Sequence, residues 1–151
     1  MKAVIQRVSH ASVTVEGDVI GKINKGFMIL LGVEKGDNEK EAEVLSSKIS
    51  TLRVFCDDND KMNLSLFDID GEVLVISNFT LCANCRHGRR PSFDNAAPPK
   101  EANDLYEYFC KCLENLGVRN VEKGEFGADM KVELLNDGPV TLIIDSKELS
   151  R

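Results

Sequence analysis

The feature that most constrains the fold is a pair of alternating apolar runs near the C-terminus, separated by a short polar segment. The runs cover residues 130–135 and 140–145, and Asn136-Asp137-Gly138-Pro139 lies between them. Alternation with a period of two is typical of strands with one buried face, and Asp-Gly favours a tight turn between strands. The pattern therefore predicts a C-terminal β-hairpin whose loop carries Gly138 and Pro139.

Pro139 has properties that a turn does not need. It has no backbone N–H to donate to a neighbouring strand, and the peptide bond before a proline adopts the cis form more readily than other peptide bonds. In the cis form, the carbonyls of Gly138 and Pro139 could face the same side as a rigid pair of acceptors. An ordinary turn and such an acceptor pair are both consistent with the spacing.

The length and composition indicate one domain spanning residues 1–151. A chain of 151 residues can bury about two-thirds of the surface that it exposes when unfolded. The first apolar stretch is too short for a signal peptide, and no run approaches the length of a membrane span. Five scattered cysteines suit reduced thiols better than a disulfide framework. We expect a soluble, cytoplasmic protein without contact with a membrane.

The order of predicted elements indicates an α+β fold. Residues 2–8, 11–15 and 19–23 alternate as strands, residues 26–33 are an almost continuous apolar run, and a further buried strand begins at residue 72. Asp37-Asn38 starts an amphipathic helix that reaches Arg53, and residues 118–121 form a short strand. We expect a mixed or antiparallel, barrel-like sheet packed against two main amphipathic helices.

The second helix is predicted over residues 100–116, with Gly117 ending it. Its predicted apolar face consists of Leu105, Tyr108, Phe109, Cys112, Leu113 and Leu116.

Polar side chains appear where the strand that begins at residue 72 would be expected to stay hydrophobic. Ser77, Asn78 and Thr80 stand at this strand end, and buried polar groups need hydrogen-bond partners or a function. The one concentrated positive charge, Arg86, Arg89 and Arg90, follows within ten residues. The arginines suit either a solvated loop or a grip on phosphate, and their closeness to the polar strand end favours the grip.

The remaining chemical motifs are weak. Cys82, Cys85 and His87 offer soft ligands for zinc, but Cys110 and Cys112 are two residues apart on a helix and point in different directions. No acid or histidine lies near Thr80 in sequence to activate its hydroxyl as a nucleophile. The sequence therefore predicts no metal site and no cofactor. A net charge of −6 argues against a protein that coats nucleic acid through bulk electrostatics.

Several segments together resemble the D-aminoacyl-tRNA deacylase family, also called the D-tyrosyl-tRNA deacylase family. The resemblance covers nearly the whole chain and is carried by residues 1–8, 11–15, 77–81, 88–93, 126–128 and 136–141. Ser77-Asn78-Phe79-Thr80-Leu81 and Asn136-Asp137-Gly138-Pro139 are similar to the family's two signatures. One departure is visible, since the family usually has glutamine where this chain has Asn78.

The resemblance implies an activity and an assembly. The activity is hydrolysis of the ester between a D-amino acid and the terminal adenosine of tRNA, with mischarged glycyl-tRNA as a further substrate and L-aminoacyl-tRNA rejected. The assembly is a homodimer with its active sites at the subunit interface, where the Gly138-Pro139 loop, with a cis bond, enters the partner's site as a chiral filter.

The resemblance also implies roles for individual residues. Ser77, Phe79 and Thr80 are expected at the catalytic centre, with backbone N–H groups near Phe79 and Thr80 stabilising the oxyanion and the substrate's 2′-hydroxyl assisting. Substrate-binding roles fall to Asn78, Gly138, Pro139, Phe126, Met130 and Arg7, of which Phe126 and Met130 face the adenine and Arg7 braces the filter. Arg86, Arg89 and Arg90 are available for tRNA phosphates. The alternatives are a non-catalytic module that binds RNA ends or nucleotides and, more weakly, a zinc or redox protein.

Overall fold

A computed structural model describes residues 1–150, and its two longest strands pair with each other along most of their length. The strands are β1 (Lys2–Val15), β2 (Asp18–Ile23), β3 (Gly26–Gly32), β4 (Phe55–Cys56), β5 (Met62–Leu64), β6 (Glu72–Ser77), β7 (Asn120–Lys123) and β8 (Lys131–Asp145). The helices are α1 (Glu39–Thr51) and α2 (Pro99–Asn115), and two 3₁₀ turns cover Phe79–Cys82 and Ser146–Glu148.

The sheet is organised around β1. One edge of β1 pairs first with β3 and then with β2, while β8 covers the opposite edge. Beyond β3 the sheet continues through β6 and β7, which both run parallel to their neighbours. β4 and β5 form a separate two-stranded ribbon. The predicted α+β fold with a mixed sheet and two main helices is confirmed.

The C-terminal segment is not the predicted hairpin. Residues 131–135 pair with residues 10–14 of β1, and residues 141–145 pair with residues 2–6, so both apolar runs belong to the single strand β8. Alternation reports which face a side chain occupies but not which strand lies beside it. The same pattern therefore fits two arms of a hairpin or one long strand interrupted by a bulge.

The interruption lies between the pairs Gln6–Thr141 and Val8–Asn136, where residues 137–140 face Arg7 alone. We call residues 137–140 the Gly-Pro bulge. Gly138 has a φ of +153° and the 138–139 peptide bond is cis. Because Pro139 cannot donate to the ladder, the chain leaves the pairing at this point and returns to it at Thr141.

Two groups of buried side chains occupy the two faces of the sheet. Phe27, Val73 and Val75 belong to the larger group, which packs against both helices. Their neighbours Met28 and Leu74 point to the opposite face and join a smaller group inside the curve of the sheet. β3 and β6 are thus covered on both faces, as their near-continuous apolar sequences predict.

The helices begin and end close to the predicted residues. Asn38 caps α1 by accepting a 2.9 Å hydrogen bond from the Lys40 backbone N–H. β7 begins at Asn120, two residues later than predicted. Among residues 1–150, no helix is both long enough and apolar enough to cross a membrane.

The predicted inner face of α2 is partly wrong. Its buried residues are Ala102, Tyr106, Phe109, Cys110 and Leu113. Leu116 is 43% exposed instead, while Tyr108 is half-buried against the edge of the larger core group and donates a hydrogen bond to the Glu43 carboxylate. The reason is Tyr106, whose hydroxyl donates a 2.7 Å hydrogen bond to the Val75 carbonyl and so draws this side of the helix against β6.

Candidate functional site

A cavity of about 590 Å³ opens where β3 and β6 end. Because these two strands are parallel, their carboxyl ends meet at the same edge of the sheet, a common place for binding sites. We call it the strand-end cavity. Its walls are Leu30, Leu31, Val33, Ile76, Ser77, Asn78, Phe79, Ala96, Ala97, Pro99, Ala102, Phe126, Gly127, Ala128, Asp129, Met130 and Val132. Five of the predicted site residues are therefore brought together, namely Ser77, Asn78, Phe79, Phe126 and Met130.

The polar strand end is held in place by its backbone. The Asn78 N–H donates a 2.8 Å hydrogen bond to the Leu31 carbonyl, which extends the ladder by one residue before the 3₁₀ turn begins. Gly32 lies directly beneath, where an added Cβ would come within 3.0 Å of Leu81 and 3.2 Å of the Asn78 carbonyl oxygen. The turn can therefore pack closely on β3 because residue 32 has no side chain.

Thr80 does not line the strand-end cavity. Its hydroxyl donates a 2.5 Å hydrogen bond to the side-chain oxygen of Asn78. An amide oxygen accepts a hydrogen bond but does not remove a proton at neutral pH. The contact therefore orients the Asn78 side chain without activating Thr80. Asn78 is also the position at which the family usually has glutamine.

The cavity is poor in groups that exchange protons. Among its lining residues, Asp129 is the one carboxylate, and it is 86% exposed and paired with Lys131 at 3.3 Å. Beneath the turn, burial and the nearby charge of Glu34 raise the pKa of the Cys82 thiol. Burial likewise raises the pKa of the Tyr106 hydroxyl. The walls therefore supply shape, apolar contact and hydrogen bonds, with no strong general base.

The Gly-Pro bulge is a second element of the predicted site, and Arg7 holds it from below. The Arg7 side chain is largely buried, and its Nε donates a 2.8 Å hydrogen bond to the Asp137 carbonyl. Its Nη1 donates a 2.7 Å hydrogen bond to the Val54 carbonyl. The brace thus contacts the carbonyl that precedes Gly138, and it ties the bulge to the segment before β4.

Asn136 clamps the base of the bulge, a role that the sequence analysis missed. Its Oδ1 accepts a 2.8 Å hydrogen bond from the Val140 N–H. Its Nδ2 donates to the Val140 carbonyl at 3.3 Å and to the Thr141 hydroxyl at 3.1 Å. The signal was present, because asparagine before a glycine turn commonly bonds to the backbone of the turn.

One protomer does not bring the bulge and the cavity together. Gly138 and Pro139 are exposed and do not line the strand-end cavity, and Arg7 does not line it either. The residues predicted for the floor of the pocket and those predicted for the filter therefore lie in separate parts of the protomer.

The predicted phosphate contacts stand on an exposed loop beyond the 3₁₀ turn. Reciprocal backbone hydrogen bonds of 2.7 and 2.9 Å between Asn84 and Ser92 close this loop. Arg86, Arg89 and Arg90 are exposed within it and do not line the cavity. We call residues 84–92 the arginine loop. All five cysteines are free thiols, and within residues 1–150 no three His, Cys, Asp or Glu side chains gather as metal ligands.

Comparisons with known proteins agree closely. The family model described as D-Tyr-tRNA(Tyr) deacylase matches residues 4–145. The protein named D-aminoacyl-tRNA deacylase from Thermosipho africanus is 55% identical over 149 residues, covering 99% of each chain. The protein of the same name from Geotalea uraniireducens is 59% identical over 146 residues, covering 97% of this chain and 94% of the relative.

Solved structures give the same fold. The structure of a protein named c-Myc DNA Unwinding Element Binding Protein superimposes with a TM-score of 0.91 and 41% identity, covering 96% of this chain and 98% of that one. A probable eukaryotic D-amino acid tRNA deacylase superimposes with a TM-score of 0.79 at 13% identity, covering 95% of this chain and 97% of that one. The second likeness concerns the fold alone.

Proposed function

The chain belongs to the D-Tyr-tRNA(Tyr) deacylase family, and from this premise we propose that it hydrolyses the ester between a D-amino acid and the terminal adenosine of tRNA. The products are the free D-amino acid and reusable tRNA, so the reaction serves as chiral proofreading in translation. The observation that carries the proposal is the match over almost the full chain, at 55–59% identity, to proteins named for this activity. Such a reaction takes place where charged tRNA is present, which is the cytoplasm.

The strand-end cavity suits the end of an aminoacylated adenosine. Its volume of about 590 Å³ lies within the range of about 300–1,000 Å³ that is usual for small-molecule sites. Phe126 and Met130 provide an apolar wall for the adenine, and Ser77 and Asn78 add polar groups to the lining. Only the acceptor end of the tRNA has to enter.

The proposed chemistry relies on positioning. A water attacks the ester carbonyl, the bond to the ribose oxygen breaks, and the proton lost by the water is transferred to the departing ribose oxygen with help from the neighbouring 2′-hydroxyl. In this scheme the backbone N–H groups of Phe79, which lines the cavity, and of the adjacent Thr80 stabilise the oxyanion, since the first N–H groups of a 3₁₀ turn have no acceptor within the turn. This scheme fits a cavity whose walls lack a strong base.

The chiral filter requires a second copy of the chain. In our proposal, two protomers form a homodimer in which each Gly-Pro bulge enters the strand-end cavity of its partner. Two features support it. Gly138 and Pro139 are exposed and lie outside their own cavity. β8 pairs only with β1 among residues 1–150, which leaves a long unpaired edge, and Leu135 and Ile143 on this strand are 53% and 80% exposed. An edge of this kind is usually covered by another chain or element.

Selectivity then arises by exclusion. The carbonyls of Gly138 and Pro139 accept hydrogen bonds from the α-amino group and occupy the space that an L side chain would need. A D side chain points out of the cavity, and glycine has no side chain to exclude, so glycyl-tRNA is also hydrolysed. Excluding a substrate in this way needs few attractive contacts. Arg7 holds the filter, while Arg86, Arg89 and Arg90 contact tRNA phosphates near the site.

The rival function is a module that binds RNA ends or nucleotides without turnover. The structural relative at 41% identity is named for binding a DNA element, so binding without hydrolysis is a real alternative for this fold. A net charge of −6 disfavours binding to long nucleic acid through phosphate contacts alone. A measurement of ester hydrolysis separates the two functions directly.

The decisive experiment compares D- and L-tyrosyl-tRNA at equal concentration and follows the loss of the ester. We expect rapid loss of the D ester, little loss of the L ester, and no change when a metal chelator is added. Equal rates on both enantiomers, or binding of tRNA without loss of either ester, would overturn the proposed function. Loss of activity on chelation that zinc restores would favour the zinc protein instead.

A further inference from the structure

Two exposed aromatic rings lie in contact at the rim of the strand-end cavity. The Phe79 and Phe93 ring centroids are 5.0 Å apart, with their planes at 70°. The two residues are 56% and 38% exposed. Phe79 reaches the cavity wall but Phe93 does not, so the pair extends from the cavity outward over the surface.

The position of Phe93 is fixed by the backbone. The Phe93 carbonyl accepts a 3.0 Å hydrogen bond from the Ala96 N–H, and Ala96 is itself a cavity wall that bridges to Glu34. On its other side, Phe93 directly follows Ser92, which closes the arginine loop. The ring pair therefore stands between the cavity and the arginine loop.

The surroundings of the ring pair are basic in a chain that is acidic as a whole. Residues 84–94 carry three arginines, at positions 86, 89 and 90, and one acid, Asp94, against a net charge of −6 for the chain. Within residues 1–150, the three guanidinium groups are exposed and form no ion pair with a carboxylate. Exposed aromatic rings beside free positive charges are the combination with which proteins bind single-stranded nucleic acid, since bases stack on the rings and the cations neutralise phosphates.

We propose that Phe79 and Phe93 form a stacking platform for the base of the nucleotide that precedes the terminal adenosine, with the arginine loop neutralising the adjoining phosphates. The proposal rests on the proposed function, because it needs the terminal adenosine to occupy the strand-end cavity. It adds Phe93 as a substrate-binding residue. It also implies that the single-stranded end of the tRNA runs from the cavity across the two rings to the arginines. The arginine loop and the ring pair then recognise one continuous single strand.

The test compares two D esters of different length. One is D-tyrosyl-tRNA, and the other is D-tyrosyl-adenosine, which has no preceding nucleotide. The measured quantity is the ratio of kcat/KM on the tRNA to kcat/KM on the adenosine ester. Removing the aromatic face with Phe93→Leu should lower this ratio about 5- to 20-fold, the lower part of what base–aromatic stacking contributes. Phe93→Tyr keeps the ring and should keep the ratio near the wild-type value.

A matched control and a second measurement test the two parts of the platform. Phe67→Leu changes a phenylalanine of similar exposure, 40%, that does not line the cavity, and it should leave the ratio unchanged. For the arginines, Arg89→Gln should lower the slope of log affinity for uncharged tRNA against log salt concentration by about 0.7 to 1, the contribution of one phosphate contact. A tRNA lacking its last two nucleotides should bind the wild type and Phe93→Leu equally.

Three outcomes would overturn the platform while leaving the proposed function intact. Phe93→Leu could lower kcat/KM on both esters by the same factor, could leave both unchanged, or could weaken association of two protomers in sedimentation with no change in the ratio. The first would indicate a structural role, and the last would mean that a second chain covers the rings. If the wild type hydrolysed neither D ester, the proposed function would fail, and the loss of tRNA affinity in Phe93→Leu would decide the platform by itself.

Discussion

The strand-end cavity and the Gly-Pro bulge are built in opposite ways. The cavity is concave and forms where two buried parallel strands end, so the core of the protomer supports its floor. The bulge is exposed, interrupts the pairing of β8 with β1, and depends on polar contacts from Arg7 and Asn136. The cavity is formed by residues of a single protomer, whereas the bulge is exposed and lies outside the cavity of its own protomer.

In our proposal, this contrast explains how a site whose walls lack a strong general base can be selective. Apolar packing fixes the cavity, which in our proposal holds an adenosine of constant shape. Hydrogen bonds fix the bulge, which in our proposal has to keep two carbonyls at a set distance from the substrate. Polar networks are directional and lose their geometry when one member is removed. Substitutions in the bulge should therefore affect selectivity before they affect the fold of the cavity.

The largest effect is expected from Arg7→Met. The substitution removes the guanidinium that donates to the Val54 and Asp137 carbonyls and leaves both acceptors without this partner. The free energy of unfolding should fall by about 2–4 kcal/mol, since hydrogen bonds to charged groups contribute about 1.5–3 kcal/mol each and part of the loss is recovered by water. Urea unfolding measures this, and D- against L-ester hydrolysis below the transition should show weaker rejection of the L form.

Arg53→Met is the matched control for Arg7→Met. Arg53 also donates from its Nε to a carbonyl, that of Asn63 at 2.8 Å, but on the exposed surface. Its loss should change the free energy of unfolding by less than about 1 kcal/mol. Equal losses for the two variants would mean that Arg7 does not brace the bulge in solution.

Gly138→Ala should have the next largest effect and should act on hydrolysis. An added Cβ would lie 2.6 Å from the Val140 backbone nitrogen and 2.8 Å from the Val140 Cγ2. The bulge must shift to accept it, and displacing a positioning group by about 1 Å costs up to about 100-fold in rate, so we expect kcat/KM on the D ester to fall about 10- to 100-fold.

Gly17→Ala is the matched control that separates the cost of a positive φ from the cost of a steric clash. Gly17 also has a positive φ, +83°, but an added Cβ there would meet nothing within 4 Å. It should carry the conformational cost of about 1 kcal/mol in stability and leave hydrolysis unchanged. If Gly138→Ala lowered stability as Gly17→Ala does and kept full activity, the bulge would not belong to the site.

Asn136 allows a graded test of the clamp. Asn136→Ala removes the acceptor for the Val140 N–H and both donated bonds, and should lower the free energy of unfolding by about 1–2 kcal/mol. Asn136→Asp keeps the acceptor and loses only the donor, so its effect should be about half as large. Asn63→Ala is the control, because the Asn63 amide donates a single exposed bond of 3.3 Å. Equal losses of unfolding free energy for Asn136→Ala and Asn136→Asp would mean that the hydrogen bond from the Val140 N–H to the Asn136 Oδ1 contributes nothing.

Features that depend on local pattern were predictable from the sequence, and features that depend on pairing partners were not. The apolar run at residues 26–33 predicted a strand covered on both faces, and the polar residues from 77 onward marked the end of a buried strand, where a cavity opens. The hairpin prediction was wrong because alternation does not identify the neighbouring strand. The face of α2 was partly misassigned because periodicity cannot anticipate that a tyrosine hydroxyl, that of Tyr106, finds a buried carbonyl acceptor.

Of the residues predicted for the site, some line one cavity and others do not. Residues 77–79, Phe126 and Met130 meet in one cavity, although about fifty residues separate the two groups in sequence. The separation of Gly138 and Pro139 from the cavity of their own protomer agrees with the arrangement that the family resemblance implies, whereas the residue pattern by itself did not indicate it. Asn136 was missed because its role depends on a bulge whose presence the hairpin prediction concealed.

The smallest effect is expected from Thr80→Ala, and it distinguishes two chemistries for the strand end. A threonine nucleophile needs a base to accept its proton, yet the Thr80 hydroxyl donates to the amide oxygen of Asn78 and does not line the cavity. If backbone N–H groups and a positioned water carry the reaction, single-turnover hydrolysis of the D ester should fall by no more than about threefold, less than 1 kcal/mol in the barrier. Asn78→Gln should be equally mild, since a longer amide can still accept the hydroxyl bond and stay at the strand end.

A covalent ester on Thr80 detected by mass spectrometry, together with a loss of more than about 100-fold in Thr80→Ala, would instead assign the nucleophile to the protein. The 2′-hydroxyl of the substrate would then have no necessary part, and a 2′-deoxy ester would be hydrolysed as fast as the natural one.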